Sequence, residues 1–227
     1  RKPVSRIVTQ RLPTTIHLGG TAFLLSFMVG IPLGILSAVW RGSFGDYVGR
    51  FLALLGQAVP SFWLGLVLIM LFAVHWRLFP AALRGDGIWD VKHLVLPTIT
   101  LAAGGFAFYM RITRAAMLEV LDSEYVRLAR AKGVSNNRVI WKHAFKNAVI
   151  QPLTGATLGV VGLLNGTVLV ETIFAWPGMG QMAITAVNNN DFPLLQGAVF
   201  FFTILIVATT FVTDLLYAYI DPRIRYD

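Results

Sequence analysis

TIHLGGTAFLLSFMVGIPLGILSAVW, residues Thr15–Trp40, runs for 26 residues without an Asp, Glu, Lys or Arg. Crossing about 30 Å of hydrocarbon takes roughly 20 residues of α-helix. This block is therefore long enough to span a bilayer with some tilt. Four further blocks reach the same length: Phe51–Trp76, Leu94–Leu118, Ala148–Phe174 and Leu195–Ile220. The pattern predicts an all-α fold, a polytopic transmembrane helical bundle with five spans, forming one domain over residues 1–227.

Composition supports lipid as the solvent. Of the 227 residues 56% are hydrophobic and 13% charged, against about 25% charged in a soluble domain. A soluble protein of five buried helices is a poor alternative. The absence of cysteine excludes disulfides, thiolate metal sites and cysteine nucleophiles. A net charge of +8 could suggest nucleic acid, but the basic residues lie between apolar blocks rather than on one soluble face, so no nucleic-acid partner is expected.

The charges instead set orientation. Eight Lys/Arg lie between Arg111 and Lys146; with Arg41, Arg50, Arg223 and Arg225 they make twelve on one side. The other side holds seven: Arg1, Lys2, Arg6, Arg11, Arg77, Arg84 and Lys92. The positive-inside rule makes the first side cytoplasmic. The basic opening, broken by Pro3 and Pro13, reads as the middle of a longer chain, with a sixth helix expected ahead of it.

Gly30/Gly34, Gly155/Gly159 and Gly162/Gly166 are each four apart, the small-xxx-small spacing that lets helix backbones approach. Pro32, Pro60, Pro97 and Pro152 are expected to kink helices where neighbours re-satisfy the freed carbonyls. Such a bundle suits a moving pore, and static packing explains each pair equally well.

The segment 119–147 is the expected cytoplasmic loop. Ser123 stands as an N-cap, and Tyr125, Leu128 and Ala129 share one helical face at i, i+3 and i+4. Gly133 sits where a helix stops. Ser135 can then cap a second basic helix through Arg138, Lys142 and Lys146, ending at Asn147. A structured basic loop of this kind suits either a partner's groove or an anionic lipid surface.

Here a resemblance enters. EYVRLARAKGVSNNRVIWKHAFKNAVIQPLT, residues 124–154, resembles the coupling loop of ABC importer permeases of the dipeptide, oligopeptide and nickel branch. RLPTTIHL, IPLGILSAVWRGSFGD, PSFWLGLVLIMLF, HLVLPTITLA, RITRAAMLEVL, ETIFAWPGMG, NNNDFPLLQGAVF and DLLYAYIDPRIRY resemble further family segments, so the likeness covers nearly the whole chain. The wider importer consensus is Glu-Ala-Ala followed by Gly four residues on. This chain keeps Ala129 and Gly133, has Arg127 and Leu128 in place of the first two, and lacks the later Leu-Pro. Those departures belong to the peptide and nickel branch.

The resemblance implies that Tyr125, Arg127, Ala129, Arg130, Ala131, Lys132 and Gly133 meet an ATPase subunit, with Glu124, His143 and Asn147 in the same loop. It implies a second, homologous permease subunit as heterodimer partner and two ATP-binding subunits. A periplasmic or lipid-anchored substrate-binding protein completes the assembly. ATP and magnesium would be bound by those partners and no cofactor by this chain, which lacks GxxxxGK[ST] and is expected not to be an enzyme.

Inside the spans, Gln57, Ser61 and Asn165 are candidates for lining a pore or bridging helices. Glu171 and Trp176, at the outer end of the fourth span, are candidates for an outer-face contact. Asp214 near the end of the last span reads as structural. His17, His75, His93 and His143 have no ligand spacing, so no metal site is expected. The rival readings are an intramembrane enzyme, with Ser61 and His75 as its one faint pair, and a channel or secondary transporter without ATPase. Short peptides are the favoured cargo, with nickel or metal chelates and glutathione as alternatives.

Overall fold

The computed structural model describes residues 3–85, 87 and 90–220, excluding the side chains of residues 157, 158, 161, 163–165, 213, 214 and 216–220. The side chains of Asn165, Asp214, Arg223 and Arg225 lie outside that description. Among the described residues every regular element is a helix. The order is α1 (Val4–Val39), α2 (Phe44–Ala58), α3 (Ser61–Leu68) continuing as a wide π turn (Ile69–His75), then α4 (Val91–Leu121) and α5 (Glu124–Ala131). There follow α6 (Asn136–Arg138), a second π stretch (Val139–Phe145), α7 (Lys146–Ala148), α8 (Ile150–Ile173), α9 (Met179–Asn188) and α10 (Phe192–Ile220).

α1 and α4 form the axis, packed along each other by their small residues. A methyl group on Gly30 would sit 2.8 Å from Tyr109 Cβ, and one on Gly34 would sit 2.7 Å from the Met110 carbonyl oxygen. Only glycine allows backbones that close. Gly155 likewise faces the Phe108 ring and Gly159 the Tyr109 hydroxyl. The third pair divides: Gly166 meets Leu101, but Gly162 has open space before it.

The first helix starts at Val4, ahead of the expected Thr15, with Pro13 and Pro32 inside it. The correction has a packing cause. Val4, Ile7, Val8 and Leu12 lie against Met179, Met182 and Ala198. Burying that face outweighs the one backbone bond Pro13 removes.

The second expected span is broken. α2 and α3 meet at 106°, because Pro60 pushes Val59 out of the helical region to φ −80, ψ 123. α2 also begins earlier than expected, at Phe44, where Ser43 caps it by accepting the Asp46 amide at 3.2 Å. Three helices are long and apolar enough to cross a membrane among the described residues, α1, α4 and α10 as far as Val212, with the bent pair as a fourth crossing if it acts as one. The 24 residues of α8 rise about 36 Å, also sufficient in length.

Large apolar side chains, among them Leu24, Met28, Phe51, Phe200 and Phe211, point outward, as lipid contact requires. Beneath them lie two apolar clusters. Leu18, Leu96, Leu101, Phe174 and Trp176 pack around the outer half of α1, α4 and α8. Ile31, Ile35, Tyr109, Met117 and Ala148 pack around the inner half.

Candidate coupling surface and groove

The loop 119–147 is rigid for local reasons. Ser123 occupies the N-cap of α5, but its hydroxyl donates back to the Val120 carbonyl at 2.5 Å instead of capping an amide. At the other end Gly133 adopts φ +78. Its amide donates to the Arg130 carbonyl at 2.9 Å, and the Val134 amide to Ala129 at 3.2 Å. That pair of bonds is the Schellman stop, which needs a residue at ease in the left-handed region.

The shared face of Tyr125, Leu128 and Ala129 divides between core and surface. Val126 and Ala129 pack on Val139, with Val120 and Val134 alongside. Tyr125 and Leu128, read as sharing one face with Ala129, are 44% and 55% exposed, while Val126 is fully buried. The returning chain chooses: α5 lies across the second π stretch, and Val139 meets the 126/129 stripe.

Several expected residues do converge. The Asn147 amide donates to the Tyr125 hydroxyl at 3.0 Å and to the His143 carbonyl at 3.1 Å. Arg127 pairs with Glu124 at 2.8 Å on the exposed side. Arg130, Ala131 and Lys132 are exposed with them. The helix after Ser135 does not end at Asn147; it continues through Ala148 and Val149 into α8. The outcome is an exposed surface carrying Tyr125, Leu128 and Trp141 among Arg127, Arg130, Lys132, Arg138 and Lys142.

An ionic knot that sequence reasoning missed ties this end to the bundle. Asp46, 1% exposed, accepts from Arg114 Nε at 2.9 Å and Nη2 at 3.0 Å, from Ser37 Oγ at 2.5 Å and from the Gly42 amide at 3.0 Å. Arg50 Nε stands 3.5 Å from the same carboxylate. The ends of α1, α2 and α4 are thereby joined. The signal available in sequence is Ser43-x-x-Asp46, a capping-box spacing at the start of a helix. It marks a cap and says nothing of Arg114.

Beside α4 lies a groove of about 500 Å³, walled by α2, α3, α4 and α8. Gln57 and Ser61 both line it, together with Gly56, Gly104, Phe108 and Gly162. Gln57 accepts a hydrogen bond from Arg111.

Glu171 and Trp176 are not surface residues. Trp176 is buried and its indole N–H donates to the Thr14 carbonyl at 3.2 Å. Glu171 is buried and accepts from Thr15 Oγ1 at 2.6 Å and from the amides of Gly180 at 2.7 Å and Gln181 at 3.1 Å. The carboxylate caps α9, whose first amides lack intrahelical partners. Chain reversal at Trp176-Pro177-Gly178 folds α9 back onto α8, and this withdraws both side chains from the outer face. Among the described residues no group of three or more His, Asp or Glu could hold a metal ion.

Comparison with known proteins places this architecture. Residues 30–226 match the family of binding-protein-dependent transport system inner membrane components. The dipeptide transport system permease protein DppB of Escherichia coli K12 is 40% identical over 253 residues, covering 100% of this chain and 75% of the relative. DppB of Bacillus subtilis is 39% identical, covering 98% and 71%. A putative peptide transport system permease protein of Brucella abortus is 41% identical, covering 100% and 73%. A structure of the inward-facing MetNI methionine ABC transporter superposes with a TM-score of 0.80 at 16% identity, covering 97% of this chain and 99% of that one. An amino acid ABC transporter crystallised with histidines gives 0.72 at 15%, covering 95% and 94%; both show the fold. The chain belongs to the binding-protein-dependent transport system inner membrane components, as a multi-pass inner-membrane permease of the peptide-transport branch of ABC importers.

Proposed function

We propose that this permease forms half of a pore for short peptides and is driven through the loop 119–147 by ATPase subunits that it does not itself supply. The observation that carries the reading is the exposed, rigid surface of α5 and its Schellman stop. Tyr125, Leu128 and Trp141 stand in water there among five cations, so an apolar and acidic cleft on a partner would bury them at little ordering cost.

Closure of two ATP-binding subunits moves the docked α5. α4 follows, because α5 leaves its end by a two-residue turn, and α2 moves with α4 through Asp46 and Arg114. The groove between α2 and α4 then changes width. A homologous second permease supplies the other half of the pore, and a substrate-binding protein delivers cargo at the outer face. Short peptides are favoured over nickel chelates or glutathione by the names of the 39–41% identical relatives.

The test is ATP-dependent dipeptide uptake by vesicles holding the permease and its partner subunits, comparing wild type with Gly133→Trp. A bulky side chain at φ +78 breaks the stop and tilts α5. Membrane insertion with loss of both uptake and ATPase attachment is the expected result. Normal uptake and attachment in the variant would instead assign the loop to the lipid surface.

A further inference from the structure

The groove beside α4 has an unbalanced charge at one end. Thr100, Leu101, Gly104 and Phe108 of α4 line it, and Arg111 is the next position along the same stripe, three residues beyond Phe108. Its guanidinium donates to Gln57, which lines the groove from α2. Among the described residues no carboxylate of this chain comes within 4 Å of Arg111 in an ion pair, whereas its neighbour Arg114 is committed to Asp46. Arg111 is exposed, so the donors that Gln57 leaves unused can meet a solute at the groove's end.

The rest of the wall has little to hold a polar solute. Val59, Pro60, Leu64 and Phe108 are apolar, and helical glycines present backbone whose amides are already bonded within the helix. The Thr100 hydroxyl donates to the Leu96 carbonyl of its own helix, so polar recognition falls to Ser61, Gln57 and Arg111.

We propose that Arg111, positioned by Gln57, forms a carboxylate-binding site at the inner end of the groove, which receives the free C-terminal carboxylate of a peptide in transit. The guanidinium offers a fork of donors that a carboxylate can take with two parallel bonds. Gln57, while accepting from Arg111, keeps its own amide hydrogens free to donate to the same anion. The contact stands in a groove open on one side, so it is screened and weak. A transporter needs that at its exit, since a strong site would trap the cargo. The proposal rests on the importer reading and adds to it a specificity determinant within this chain.

The test uses the permease assembled with its partner subunits in zwitterionic nanodiscs, without nucleotide or binding protein. Saturation-transfer NMR reads weak binding of alanyl-alanine and of its C-terminal amide, and the same preparations are assayed for ATP-driven uptake once the binding protein is added. The expected result is saturable transfer to the free acid that weakens roughly three- to tenfold in Arg111→Gln, recovers only in part in Arg111→Lys, which keeps the charge but loses the fork, and is small for the amide in every sample. Equal signals for acid and amide, or an Arg111→Gln signal matching wild type in a correctly assembled complex, would overturn it. If wild type imports the peptide while the NMR signal ignores Arg111, this site alone falls and the charge belongs to lipid phosphate or a partner subunit. If wild type imports nothing with ATP, the importer reading itself has failed.

Discussion

A carboxylate taken out of water has to be matched group by group, and Asp46 meets that demand with an arginine fork, a hydroxyl and a backbone amide. Removing one member of a buried pair leaves the other uncompensated, which costs about 3–5 kcal/mol. Arg114→Ala is therefore expected to lower the thermal stability of the detergent-solubilised complex sharply. Arg127→Ala, whose partner Glu124 is exposed, should fall within about 0.5 kcal/mol of wild type. A melting curve for each checks the contrast, and equal curves would remove Asp46 from the structural core. Residues of this kind were the hardest to read in sequence. Gly133 was legible because its stop is local, closed within five residues. Arg114 was not, since its partners lie 68 and 77 residues away and nothing in the spacing announces them. Glu171 misled for the same reason: its position suggests an outer face, and only the reversal at Pro177 reveals that α9 comes back to take its charge.

Among the helices, packing decides where propensity does not. The apolar blocks located α1, α4, α8 and α10, because a run of twenty apolar residues has few other uses. Their ends were less visible: α1 gains three turns from contacts with α9 and α10, and α2 is set off from α3 by Pro60 and Val59. The buried face of α5 is not decided by its own sequence: Tyr125 and Val126 both begin plausible apolar stripes, and the choice belongs to Val139 across the turn. Glycines make the same point in testable form. A methyl group at Gly34 would press on the Met110 carbonyl at 2.7 Å, whereas at Gly162 it meets nothing within 4 Å. Overpacking a tight contact costs about 1–3 kcal/mol, so Gly34→Ala should reduce the yield of folded permease and Gly162→Ala should leave it unchanged. Size-exclusion profiles of the two variants decide it.

At the scale of the molecule, orientation follows from where the charged surfaces fall. The α5 surface lies at one end and the loop after His75 at the other, where the Leu83 amide donates to the Phe174 carbonyl at 2.8 Å. The chain contains no cysteine, so single thiols can be introduced without background. Leu128→Cys is expected to react with an impermeant maleimide only from the cytoplasmic side, and Leu78→Cys only from the outer side. Labelling of both from one side would refute the membrane crossing by α4 between them. Protection of Leu128→Cys when ATPase subunits are added would follow from docking.

The Asp46 knot also makes α4 a lever. The helix is 31 residues long, about 46 Å from end to end, and the groove lies along its middle. Its inner third is clamped through Arg114, and the outer ends of α1, α8 and α9 are clamped through Thr15 and Glu171. A rod held at one point through Arg114 can tilt about that point. A rotation of about 5° carries one end of such a rod roughly 4 Å relative to the other, comparable to the diameter of a methyl group. On the function proposed above, a modest angular stroke at the α5 end would have the reach to open or close a passage the width of a peptide backbone, with every helix intact.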